Sequence, residues 1–183
     1  MKKIVFMTGY SGAGKSTLTD YVVGKYRFGY VSFRDTTREV AESQGYTHID
    51  YIEKVDNKII FQQVGDAITD KIKAQETHNT LIDGLYHLPY VEKIQEDFPD
   101  RQTLIVSVQA DKNIRAARMK ARNPNDKSAL NDIDYLDNYK DSIGIKEVIS
   151  HADYLLVNNV DITAFSRETD LFVEKLNAGR IKP

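Results

Sequence analysis

Gly9-Tyr10-Ser11-Gly12-Ala13-Gly14-Lys15-Ser16 spells G-x-x-x-x-G-K-[ST] without a mismatch, between a short apolar run and a segment of helical character. The chemistry such a loop can do is to hold a polyphosphate. Its backbone N–H groups must wrap the anion, which requires glycine where a side chain would clash or φ must be positive. The N-terminus of the following helix then turns its positive dipole end toward the phosphates. Gly9, Ser11, Gly12, Ala13 and Gly14 are therefore expected to cradle the phosphates of ATP, with Lys15 on the β and γ groups. The Ser16 hydroxyl is expected on a magnesium ion, and Thr17 on the α phosphate.

A second chemical feature is Thr80-Leu81-Ile82-Asp83-Gly84, an apolar strand that ends in a carboxylate. In an α/β sheet the carboxyl ends of the strands line the ligand crevice, so Asp83 should lie beside the phosphate loop. It is the candidate ligand to a metal-bound water, or the general base. A third feature is the cluster Arg115, Arg118 and Arg122, whose spacings of three and four residues bring the side chains near one helix face. Arg118 and Arg122 are the candidates to meet charge spreading over a transferring phosphoryl group; the alternative is a solvated helix face. A fourth is Val31-Ser32-Phe33-Arg34-Asp35-Thr36-Thr37-Arg38. Asp35 reads as a helix N-cap, and Arg38, one turn in, could hold a phosphate bidentately or form a surface ion pair.

These residues need a scaffold, and the chain alternates short apolar runs with longer helical segments, the pattern of a parallel sheet covered on both faces. Expected strands are Ile4 to Thr8, Tyr30 to Phe33, Thr80 to Asp83, Leu104 to Gln109 and Tyr154 to Asn158, the second being the weakest. Ile60, Val64, Ile68 and Ile72 predict a helix over Phe61 to Gln75. Pro89 suits a helix start, Asp111 a cap ahead of the three arginines, and a last helix should cover Ala164 to Asn177 and stop at Gly179. Gln44 to Lys58 and Arg122 to Asn131 are polar and weakly periodic. They are either mobile substrate-covering segments or plain solvated connections.

With 183 residues the chain fits one domain with a sizeable core. The balance of 25 Lys plus Arg against 27 Asp plus Glu, a net charge of -2, provides no general attraction to nucleic acid or an anionic membrane. The absence of cysteine excludes disulfides, thiolate zinc sites and cysteine nucleophiles. The run Ile4 to Met7 is too short for a signal peptide, and no stretch is long enough to span a membrane, so the cytoplasm is the expected compartment.

In the order of these elements the sequence resembles the adenylate kinase-like nucleoside monophosphate kinases and their dephospho-coenzyme A kinase-like relatives, over most of its length. The resemblance implies a three-layer P-loop fold with a five-stranded parallel sheet, an acceptor-binding insertion at about 34–75 and a short lid at about 122–135. It implies ATP and magnesium as cofactors and a nucleotide-like small molecule as acceptor, held by Ser32, Arg34, Asp35 and Arg38. Asp83 matches the family's acidic residue near the metal. Asn158 stands where the last strand leads into the loop beside the adenine, serving either structure or base contact. Two departures stand out. The family's arginine shortly after the D-G pair is replaced by Leu85-Tyr86-His87, leaving His87, Arg34 or another cation to contact the acceptor. Leu136 occupies the place of a lid arginine ahead of Asp137, so the lid works with fewer charges or uses Lys140.

The expected activity is phosphoryl transfer from ATP to that acceptor by a monomer or homodimer. The alternatives are a kinase of another hydroxyl, including dephospho-coenzyme A or DNA, and a nucleotide-hydrolysing switch. A switch is weakened by the lack of an N-K-x-D motif.

Overall fold

The computed structural model describes residues 1–122, 124 and 132–181. Five parallel strands, β1 (Lys3–Thr8), β2 (Gly29–Ser32), β3 (Asn79–Asp83), β4 (Gln102–Gln109) and β5 (Tyr154–Val157), lie in the order β2-β3-β1-β4-β5. Helices α1 (Lys15–Tyr26), α2 (Phe33–Ser43), α3 (His48–Lys54), α4 (Asn57–Lys73), α5 (Pro89–Asp97), α6 (Lys112–Arg122), α7 (Ile133–Ser142), α8 (Ile145–Ser150) and α9 (Ile162–Asn177) complete the described chain. This is the three-layer α/β arrangement that the apolar runs predict.

Strand β1 is buried along its whole length and shows why. Successive side chains point to opposite faces. Val5 and Met7 therefore enter one core with Leu18, Val22, Phe165, Phe172 and Leu176 of α1 and α9. Ile4 and Phe6 enter the other, with Val64, Ile68, Ile72 and Ile94 of α4 and α5 and Val148 of α8. Because β1 is central, its carboxyl end, where the phosphate loop begins, has β3 on one side and β4 on the other.

The second strand ends one residue early. Ser32 caps α2 by accepting from the Asp35 N–H at 3.2 Å, so Asp35 lies in the first turn and is not the cap. Phe33 belongs to the helix, stacks on Phe6 and meets Tyr90 edge-on. Gln44 to Lys58 is not one irregular connection: Thr47 caps α3, and α4 already starts at Asn57. The signal was present as Thr47-x-x-Asp50, a capping pair in which the Thr47 hydroxyl accepts from the Asp50 N–H at 3.1 Å. Most of the lid expected at 122–135 lies outside the described residues. Among the described residues no helix is long and apolar enough to cross a membrane.

Candidate active site

The phosphate loop leaves β1 at Thr8, whose hydroxyl donates to the Leu85 carbonyl at 2.9 Å. Gly9, Gly12 and Gly14 all take positive φ, at 141°, 76° and 109°. At Gly14 the requirement is doubled, because an added Cβ would lie 2.1 Å from the Asn158 amide nitrogen. That amide group is a bracket. It is 5% exposed, donates to the Ala13 carbonyl at 2.9 Å and accepts from Arg118 Nη2 at 3.1 Å. Gly14→Ala is accordingly expected to introduce about 1–3 kcal/mol of backbone strain and to weaken nucleotide binding by breaking the bracket. Urea denaturation and nucleotide titration read both, and wild-type values would show that the loop tolerates the side chain.

Lys15 opens α1, and its ammonium donates to the Gly9 and Tyr10 carbonyls at 2.8 and 3.2 Å. Burial lowers its pKa and the Asp83 carboxylate opposes the shift. Asp83 pairs in register with Met7 at the end of β1 and with Ser32 at the end of β2, so three strand ends converge on it. Its Oδ1 is buried without a hydrogen-bond partner among the described residues. Burial raises the Asp83 pKa against the attraction of Lys15, Lys140 and Arg34. A carboxylate oxygen left unmatched beside a lysine of the phosphate loop suits a hydrated cation or an acceptor hydroxyl, and the Ser16 hydroxyl, exposed in the first turn of α1, is a second oxygen donor. The residues present thus fit magnesium.

Lys140 is the residue that the sequence pattern nearly missed. It lies on α7, is 8% exposed, and donates to the same Gly9 carbonyl at 3.1 Å. Burial, then the nearby Lys15 charge, lowers its pKa from 10.5 to about 7. Its ammonium also lies 5.3 Å from the centre of the Tyr86 ring. Burial, then Asp83, pushes the Tyr86 hydroxyl up to about 12, so it is a proton-bearing donor at neutral pH.

The three arginines of α6 separate into different environments. Arg115 is buried and gives Asp137 a bidentate pair at 2.8 and 2.7 Å, while also donating to the Ser11 carbonyl at 3.3 Å and the Ala110 carbonyl at 3.1 Å. It fastens α6, α7 and the loop together. Arg115→Ala is expected to destabilise the protein by about 3–5 kcal/mol by stranding Asp137, and Arg115→Met with Asp137→Leu to recover most of this. Equal losses in the single and double variants by chemical denaturation would contradict that account. Arg118 reaches the end of β5 through Asn158 and the Val160 carbonyl at 3.4 Å, keeping a buried Nη1 unpaired among the described residues. Arg122 is exposed and contributes to the positive potential at Lys15.

Arg34 acts electrostatically on Lys15, Lys140, Asp83 and Tyr86 and so belongs to the same mouth. Arg38, one turn on, pairs with Asp35 at 3.6 Å on the surface and, with Arg34, lowers the pKa of partly buried His48, whose burial is the larger cause. His48, unmarked in the sequence, joins them because α3 is a helix. His87 is exposed and stands edge-on to Phe61 and Tyr90, with no hydrogen bond to Asp83 or Arg34 among the described residues.

A family profile described as AAA domain matches residues 8–134, more than half of the chain. The chain belongs to the AAA domain family. The matched span takes in the loop, Asp83 and the α6 arginines, while Lys140 and Asn158 lie beyond it. Along almost its full length this AAA domain protein is similar to a UPF0200 protein of Thermococcus sibiricus, 26% identical over 181 residues that cover 94% of this chain and 95% of the relative. In structure it is similar to a gluconokinase from Sinorhizobium meliloti, with TM-score 0.63 and 14% identity, covering 96% and 93% of the two chains. It is also similar to a shikimate kinase from Acinetobacter baumannii bound to shikimate, with TM-score 0.57 and 16% identity, covering 100% and 97%. The fold is thus that of the P-loop kinases, as the order of motifs implied.

Proposed function

We propose that this protein transfers the terminal phosphoryl group of ATP to a small, anion-bearing, nucleotide-like acceptor. The observation that carries the reading is the convergence of the Lys15 ammonium, the unmatched Asp83 oxygen and the Arg34 charge at the ends of β1, β2 and β3. Donor groups, a carboxylate and an acceptor-side cation in one mouth are what in-line transfer needs.

In this reading the loop from Gly9 to Gly14, Lys15, Ser16 and Thr17 hold the donor. Arg118, held beside Asn158, adjoins the nucleotide, and Arg122 adds positive potential. Ser16 and, through water, Asp83 would hold magnesium, which supplies charge neutralisation of the phosphates when bound. The segment from α2 to the start of α4 forms the acceptor side, where Ser32 and Asp35 set the entry of α2 and Arg34, Arg38 and His87 offer contacts to the acceptor. Asp83 orients the attacking oxygen of the acceptor, and takes its proton where that oxygen is a hydroxyl, as the acceptor oxygen bonds to the γ phosphorus. The bond from that phosphorus to the β–γ bridging oxygen breaks, and ADP leaves with the electron pair. The residues about 122–135 are assigned to a lid that excludes water.

A kinase of another small hydroxyl compound is the second reading. Tyr86 supports it, because a neutral donor stands where the nucleoside monophosphate kinases have an acceptor arginine, and two of the structural neighbours are named a gluconokinase and a shikimate kinase. The deciding experiment is ADP release from magnesium ATP against nucleoside monophosphates, dephospho-coenzyme A, hydroxylated acids and DNA. Stimulation by one acceptor class supports the kinase and names the class. Slow hydrolysis that no acceptor alters would support the switch.

A further inference from the structure

We propose that Lys140 is a second phosphate-contacting lysine of the active site, delivered by α7 to the phosphoryl group in transfer. This rests on the reading of the mouth as a phosphoryl-transfer site.

Three observations lead to it. First, Lys140 and Lys15 donate to one carbonyl, that of Gly9, at 3.1 and 2.8 Å. Two ammonium groups that converge on one carbonyl repel each other. An anion between them relieves the repulsion, and the terminal phosphate of a bound triphosphate is the anion this loop is shaped to hold. Second, Lys140 is almost wholly buried and forms no ion pair among the described residues, a rare state for a lysine. Its charged neighbours are Lys15 on the donor side and Asp83 and Arg34 on the acceptor side, which places it between the two substrates.

Third, α7 is fixed to the loop on both sides of Lys140. Asp137, one turn before it, is gripped by Arg115, which also holds the Ser11 carbonyl. Asp141, the next residue, accepts from the Tyr10 hydroxyl at 2.5 Å and pairs with Lys146 at 2.8 Å. Both fastenings engage loop residues, so the register of α7 against the loop is set and Lys140 is the side chain that this register aims inward. Its task is to donate hydrogen bonds to phosphate oxygens as negative charge spreads over them; it transfers no proton.

The test compares Lys140→Met, which keeps the length of the buried stem, with Lys140→Arg, and measures magnesium ATP and magnesium ADP affinity by calorimetry alongside turnover. In Lys140→Met, ATP affinity is expected to fall about 10–100-fold and kcat about a hundredfold, while ADP, lacking the group contacted, binds within about threefold of wild type. Lys140→Arg should regain most of the kcat. Parallel loss of ATP and ADP affinity would make Lys140 a scaffold of the loop and overturn the proposal, as would wild-type turnover in Lys140→Met. If the wild-type protein itself bound neither nucleotide, the phosphoryl-transfer reading would fall and this inference with it.

Discussion

Lys15→Ala is expected to reduce ADP release in the presence of the responding acceptor to about one-thousandth of wild type or less, without loss of the fold. The lysine is only half-buried and its two bonds go to loop carbonyls, one of which Lys140 also serves. Unfolding free energy should therefore stay within about 1 kcal/mol of wild type, the net worth of one hydrogen bond. ATP and ADP should both bind more weakly, which separates this variant from Lys140→Met. Calorimetry with each nucleotide and steady-state turnover read the result, and near-normal turnover would remove the loop from the mechanism.

Asp83→Asn is expected to lower kcat by about 10²–10⁴-fold with ATP affinity changed no more than a few-fold. The exchange conserves shape but removes the charge that takes the acceptor proton. Burial already disfavours the Asp83 carboxylate, so a neutral amide costs the fold nothing and thermal stability should be equal or higher. The same burial fixes a pH signature. The active form is the carboxylate, and its raised pKa means that kcat/KM declines on acidification starting above the ordinary carboxylate range, near 4. That acid limb should vanish from the residual activity of Asp83→Asn. A variant with half of wild-type turnover, or with the limb intact, would dismiss Asp83 as the acceptor of the proton.

The sheet was readable in the chain because parallel strands covered on both faces are continuous apolar runs. Ile4 to Thr8 and Leu104 to Gln109 sit inside the observed β1 and β4, and Thr80 to Asp83 inside β3. The short helices were harder. α3 buries Tyr51, and α8 buries Ile145 and Val148, too few residues to establish a period. The sequence pattern puts Phe33 at the end of the second strand, and what makes it helical is the Ser32 cap together with its packing on Phe6 and Tyr90.

The site divides along the same line. The loop residues form a local motif, and the sheet brings Asp83 to them through strand order alone. The arginines of α6 follow one another at helical spacings of three and four residues but meet three environments, because the loop, the end of β5 and solvent each border the helix. Lys140 depends on a contact spanning 131 positions, which no spacing within the chain announces.

In the proposed transfer the buried amide of Asn158 bears on fidelity toward the donor. Its nitrogen is committed to the Ala13 carbonyl and its oxygen to Arg118, so the group cannot rotate without forfeiting a bond. A donor whose base pushes Arg118 aside therefore tugs on the loop that grips its own phosphates. Discrimination among triphosphates should then be felt as misaligned transfer, in turnover more than in occupancy, and a poor donor would be held yet seldom used.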